Sequence, residues 1–101
     1  MNESILKELS EIIKNRKKNY SKDSYTSNLF KKGKIKIANK LGEEAFETVS
    51  AFLGEGKHEI AKESADLIFH LLVLLEESEL SMKDVLEVLE DRMKNDWHRK
   101  L

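Results

Sequence analysis

The chain contains no proline, and its four glycines stand at Gly33, Gly42, Gly54 and Gly56. These two residue types are the strongest helix breakers, so long tracts are free to be helical. The apolar residues use that freedom. Ile5, Leu6, Leu9, Ile12 and Ile13 recur at helical spacing and predict a first amphipathic helix that fades near Lys18. "NYSKDSYTSNL" is rich in turn formers and reads as a loop, with Ser24 or Thr26 placed to cap a short helix ending near Gly33. A long helix follows from about Lys34 to Leu53, and "GEG" breaks it. The next spans roughly His58 to Glu77, with Glu59 suited to the positive end of its dipole. "SELS" makes another turn, where Ser81 and Asp84 resemble a capping box. The last helix presents Met82, Val85, Leu86, Leu89 and Met93 as its buried stripe. The tail from about residue 95 is expected to fray, with Trp97 folded back. The fold class is all-α, of four-helix-bundle type, in a single domain over residues 1–101.

Composition narrows the function classes. Charged residues make up 37% and hydrophobic residues 40%, which fits neither a disordered nor a membrane-spanning chain. The 18 basic residues are balanced by 19 acids, so there is no overall basic footprint of a nucleic-acid binder. With no cysteine there is no disulfide, thiolate metal site or cysteine nucleophile. The N-terminus lacks the apolar block of a signal peptide, and "LIFHLLVLL" is too short to cross a bilayer. The expectation is a soluble, cytoplasmic domain with no membrane or nucleic-acid partner. Leu67, Ile68 and the run from Leu71 to Leu75 cover nearly the whole circumference of their helix. A chain of 101 residues seldom surrounds one of its own helices, which predicts a second copy of the chain as partner.

Two acid pairs carry the chemistry. Glu44 and Glu47 in "GEEAFE", and Glu63 and Asp66 in "ESADL", are each three residues apart and so adjacent on a helix surface. With Glu44 at zero on the helical wheel, Leu41 and Phe52 lie near ~60–80° and Glu47 near ~300°, so the pair borders the apolar stripe. Glu63 and Asp66 lie similarly beside Ile60, Leu67 and Leu71. The tight turn makes the two helices an antiparallel hairpin. Glu44 and Glu47 stand ten and seven residues before Gly54, and Glu63 and Asp66 seven and ten after Gly56. The pairs therefore sit at matching heights and four carboxylates can converge. Converging carboxylates raise each other's pKa unless a cation compensates. Oxygen ligands favour Mg²⁺, with Mn²⁺ as substitute, and Mg²⁺ is usually shared with substrate phosphates. Lys36 and Lys40 fall near ~280° and ~320°, on the Glu47 edge, where amines can meet phosphate oxygens. His70 reads as a core or supporting partner of Asp66 more than as a ligand, and Glu43 as supporting or exposed. The competing reading makes all these acids a solvated face, paired with lysines such as Lys40 four before Glu44.

The residues also resemble a family. "GEEAFE" followed by "ESADL" matches the acid pattern of the all-α, MazG-like nucleotide pyrophosphatases. The longer string from "SYTSNLFKKGKIKIANKLGEEAFE" to about Arg92 is similar to the phosphoribosyl-ATP pyrophosphatase family of histidine biosynthesis. The resemblance implies Mg²⁺-dependent hydrolysis of phosphoribosyl-ATP to phosphoribosyl-AMP and pyrophosphate, by a homodimer. It implies metal binding by Glu44, Glu47, Glu63 and Asp66. It further implies phosphate or ribose contacts by Lys36, Lys40, Ser24, Tyr25 and Thr26. Phe69 stands where the family often has tyrosine, which removes a hydroxyl and leaves the acids untouched. The length corresponds to the stand-alone form, without a fused cyclohydrolase.

Three alternatives remain open at this stage. A house-cleaning nucleoside triphosphate pyrophosphohydrolase would share the acids but not the phosphoribosyl contacts, so "SYT" discriminates. A non-catalytic helical dimerisation module would tolerate loss of the acids. A di-iron carboxylate bundle wants Glu-x-x-His pairs, and neither acid pair has a histidine three residues on.

Overall fold

The computed structural model describes residues 4–101, and every regular element among them is a helix. Their order is α1 (Ser4–Lys18), α2 (Tyr25–Lys32), α3 (Lys34–Gly54), α4 (Lys57–Glu77) and α5 (Met82–Asn95). The all-α expectation holds, with the short α2 added to four longer helices. Among the described residues, no helix is long and apolar enough to cross a membrane.

Local chemistry sets the boundaries. Ser24 caps α2, its hydroxyl accepting the Ser27 N–H at 3.0 Å. Gly33 joins α2 to α3 at φ 100°, a conformation that favours glycine. Its N–H closes α2 on the carbonyls of Leu29 and Phe30, and its own carbonyl accepts the Ile37 N–H of α3. At the start of α5 the Asp84 carboxylate accepts the Ser81 N–H at 2.8 Å and the Ser81 hydroxyl at 3.1 Å. Both bonds favour the charged form and hold the Asp84 pKa below the ordinary carboxylate value.

The long α3 and α4 form an antiparallel hairpin, and α1 and α2 pack across it. Ile13, Leu29, Ile37, Leu72, Val73 and Leu75 form the buried core. Each such side chain contributes about 1.5–3 kcal/mol on burial. Ser27 is buried with them, its hydroxyl donating to the Arg16 carbonyl at 2.7 Å and so tying α2 to α1.

Two expectations about packing need correction. The apolar α4 segment is largely enclosed by its own chain: Leu72, Val73 and Leu75 are buried, Leu67, Leu71 and Leu74 are half-buried, and only Ile68 of this set is exposed. The large uncovered apolar surface is on α3 instead, where Ile35, Phe46, Val49, Phe52 and Leu53 are exposed, Phe46 by 71%. The expected buried stripe of α5 is also only partly realised. Met82 and Val85 meet the core, whereas Leu86, Leu89 and Met93 are exposed, because α5 reaches the bundle through its N-terminal end alone. Beyond α5 the chain turns back, with Arg92 and Lys100 set 5.9 and 5.2 Å from the centre of the Trp97 ring.

Candidate metal centre and adjoining cleft

The hairpin brings the two acid motifs together. One carboxylate oxygen from each of Glu44, Glu63 and Asp66 lies within 4.8 Å of the others. Glu44 and Glu63 each have their pKa raised, by desolvation first and then by neighbouring acids, with Glu47 the leading neighbour of both. Glu47 thus adjoins this trio without belonging to it. Thr48 holds the two helices in register at this level: its hydroxyl lies 2.8 Å from the Glu44 carbonyl and 3.2 Å from that of Glu63.

Glu44 is the most telling of the acids. It is only 8% exposed, and its Oε2 is buried with no hydrogen-bond partner. A buried carboxylate oxygen facing other carboxylates is unfavourable unless a cation or a proton meets it. The donor set is oxygen only, which suits a hard divalent cation and not zinc or copper. The residues present therefore fit such an ion. Glu44 is buried and so is not part of a solvated face of lysine-paired acids, whereas Glu47 and Asp66 are exposed and Glu63 is half-buried.

A shallow cleft of about 240 Å³ is lined by Tyr25, Asn28, Leu29, Lys32, Lys36 and Lys40. Lys40 pairs with Glu43 at 3.6 Å, one residue short of the i,i+4 pairing with Glu44 that the spacing suggests. Tyr25 in its ionised form first, and then Glu43 and Glu44, hold the Lys40 ammonium above its ordinary pKa, so it stays charged. Desolvation in turn raises the Tyr25 phenol, so it keeps its proton at neutral pH.

The candidate residues divide by position. Glu44, Glu63 and Asp66 converge, with Glu47 beside them. Lys36, Lys40 and Tyr25 share the cleft. Ser24 caps α2, and Thr26 is half-buried in its first turn, outside the residues lining the cleft. His70 is buried and bonds through Nδ1 to the Asp66 carbonyl and through Nε2 to the Tyr25 hydroxyl, both at 2.9 Å. Three participants were not anticipated from the sequence. Thr48 shows only its spacing of four from Glu44, Lys32 only its charge near Gly33, and Asn28 gives no signal at all.

Comparison with known proteins places the chain among its relatives. The profile of a family described as phosphoribosyl-ATP pyrophosphohydrolase matches residues 6–93. Phosphoribosyl-ATP pyrophosphatase of Metallosphaera sedula is 49% identical over 90 residues, covering 89% of this chain and 97% of the relative. That of Pyrobaculum arsenaticum is 47% identical over 90 residues, covering 89% and 96%. The histidine biosynthesis bifunctional protein HisIE of Pyrococcus furiosus is 50% identical over 91 residues, 90% of this chain but 42% of that longer protein.

Proposed function

This chain belongs to the phosphoribosyl-ATP pyrophosphohydrolase family, and from that premise we propose that it hydrolyses phosphoribosyl-ATP to phosphoribosyl-AMP and pyrophosphate in histidine biosynthesis, with Mg²⁺ as cofactor. The observation that carries this reading is the buried Glu44, its Oε2 unpartnered, clustered with Glu63 and Asp66 beside a lysine-lined cleft. Glu44, Glu63 and Asp66, with Glu47 adjoining, would hold the ion, which would offset their mutual repulsion and the charge of the phosphate anhydride.

The chain's own groups supply the rest. Lys36 and Lys40 offer ammonium groups to phosphate oxygens from the cleft. The Glu43 carboxylate holds Lys40 toward the acid edge of α3. Thr48 fixes the register of the hairpin, so the acids keep their spacing when a triphosphate arrives. Ser24 serves by capping α2 and thereby setting Tyr25 at the cleft, with Thr26 in the same turn.

The assembly belongs to the same proposal. Ile35, Phe46, Val49, Phe52 and Leu53 recur along α3 at coiled-coil-like spacing and remain exposed in the single chain. A second copy covering this stripe would give a homodimer.

Pyrophosphate release by the purified protein with Mg²⁺ tests the activity, with phosphoribosyl-ATP run beside ATP, dUTP and dCTP. A strong preference for phosphoribosyl-ATP that EDTA abolishes is expected. Equal turnover of the ordinary triphosphates would move the chain to general nucleotide hydrolysis, and no release from any of them would overturn the enzymatic reading.

A further inference from the structure

His70 is buried and stands 45 residues from Tyr25 in sequence, yet it bonds the tyrosine that lines the cleft. The direction of that bond follows from its other end. His70 Nδ1 lies 2.9 Å from the Asp66 main-chain carbonyl, which can only accept a hydrogen bond, so Nδ1 carries the proton. With Nδ1 as the donor, Nε2 is left as the acceptor, and the Tyr25 hydroxyl, 2.9 Å away, donates to it. The edge-on packing of Phe69 against the imidazole, 4.9 Å between ring centres, holds the ring in this orientation. A phenol has one proton to give. With that proton committed to His70, the Tyr25 oxygen offers only lone pairs to anything entering the cleft.

We propose that Tyr25 is a specificity residue that accepts a hydrogen bond from a sugar hydroxyl of the nucleotide, with His70 as the positioning residue that makes it an acceptor. Phosphate oxygens are acceptors too, so an oxygen stripped of its donor has nothing to offer them. They are left to Lys36 and Lys40 in the same cleft. The donor that lies nearest to the phosphates of any nucleotide is a ribose hydroxyl, and an exocyclic amine lies further away across the glycosidic bond. The pair also ties the cleft to the acids, because the carbonyl that fixes the His70 tautomer belongs to Asp66. This inference rests on the nucleotide-hydrolase reading above, and its test separates the two.

The two products divide the substrate, since pyrophosphate carries only phosphate oxygens and phosphoribosyl-AMP carries the sugars. Tyr25→Phe should raise the KM for phosphoribosyl-ATP and the inhibition constant of phosphoribosyl-AMP about threefold to tenfold, as loss of one uncharged hydrogen bond does. It should leave inhibition by pyrophosphate unchanged and kcat nearly so. Ribose 5-phosphate should weaken in parallel; weakening of phosphoribosyl-AMP alone would assign the contact to the base and overturn the sugar assignment. His70→Phe, which keeps a ring but removes the acceptor, should produce the same split, and adding it to Tyr25→Phe should cost nothing further. Should His70→Phe not fold, the exposed Tyr25→Phe carries the test alone. Weakened pyrophosphate inhibition, or no change in any constant, would overturn the proposal. Independently of turnover, the ¹⁵N spectrum of His70 should show the Nδ1–H tautomer, and an Nε2–H tautomer would overturn it. If the wild type turns over ordinary triphosphates instead, the same comparison with the matching monophosphate and pyrophosphate still reads Tyr25, so failure of the substrate assignment and failure of the tyrosine assignment are told apart.

Discussion

Replacing Glu44 by glutamine should make the metal-free protein more stable while abolishing its response to Mg²⁺. Glutamine keeps the shape of the side chain, removes the charge and adds an amide donor. In the wild type, Oε2 is buried without a partner, and the carboxylate clusters with those of Glu63 and Asp66. An unsatisfied buried polar group costs about 1–3 kcal/mol, and more when charged. In the variant the amide can donate to the carboxylate of Glu47 or Glu63, which removes the buried charge and the like-charge repulsion that together raise the pKa of Glu44, desolvation first. A gain of at least ~1 kcal/mol follows, worth about 4–8 °C in Tm for a domain of this size. Mg²⁺ should stabilise the wild type as well, by about 2.7 kcal/mol at a hundredfold excess over Kd. The assay is thermal unfolding by circular dichroism at one protomer concentration, in EDTA and in Mg²⁺, for both proteins. Glu44→Gln melting at or below the wild type in EDTA would refute the reasoning. So would an equal Mg²⁺ shift in the two proteins.

Three further outcomes are expected. Glu47→Gln and Asp66→Asn should each largely abolish pyrophosphate release while circular dichroism stays native; near-normal turnover in both would remove the carboxylates from the site. Phe46→Glu, placed on the exposed stripe of α3, should shift the protein from dimer to monomer in sedimentation velocity; an unchanged sedimentation coefficient would put the interface elsewhere. Asp84 has a pKa held low by the Ser81 bonds. A lowered folded-state pKa adds stability above the unfolded pKa, and this is lost as pH falls through the folded one. Asp84→Asn should therefore lower Tm at neutral pH, and its difference from the wild type should shrink on acidification below the ordinary carboxylate range. A difference that stays constant with pH would show that the charge of Asp84 is not what stabilises the cap.

Much of this arrangement was legible because it depends on local geometry. The positions of Gly33 and "GEG", with apolar repeats between them, give helix limits within a residue or so of α3 and α4. The mirrored distances of the acid pairs from the turn anticipate the meeting of Glu44, Glu63 and Asp66, since an antiparallel hairpin turns sequence distance into height. A helical wheel shows which residues share a face but not how each helix is rotated against its neighbours. That is why α3 carries more uncovered apolar surface than the Leu-rich half of α4, where Ile68 is the exposed residue. It is also why Leu86, Leu89 and Met93 looked like core: α5 has the right period but too little bundle beside it. The Tyr25–His70 bond joins residues 45 apart through tertiary packing, which no local pattern encodes. Lys40 selects Glu43 over Glu44 because Glu44 is turned inward toward the acids, a choice that spacing alone leaves open.

The central claim is that the acids of the α3–α4 hairpin form a divalent-cation site, and Mn²⁺ titration followed by electron paramagnetic resonance addresses it directly. Wild-type protein should quench the signal of free Mn²⁺ saturably, Mg²⁺ should restore it by competition, and the Glu63→Gln/Asp66→Asn double variant should leave it free. An unquenched signal with folded wild-type protein, or equal binding by the double variant, would contradict the assignment of these carboxylates as the metal centre.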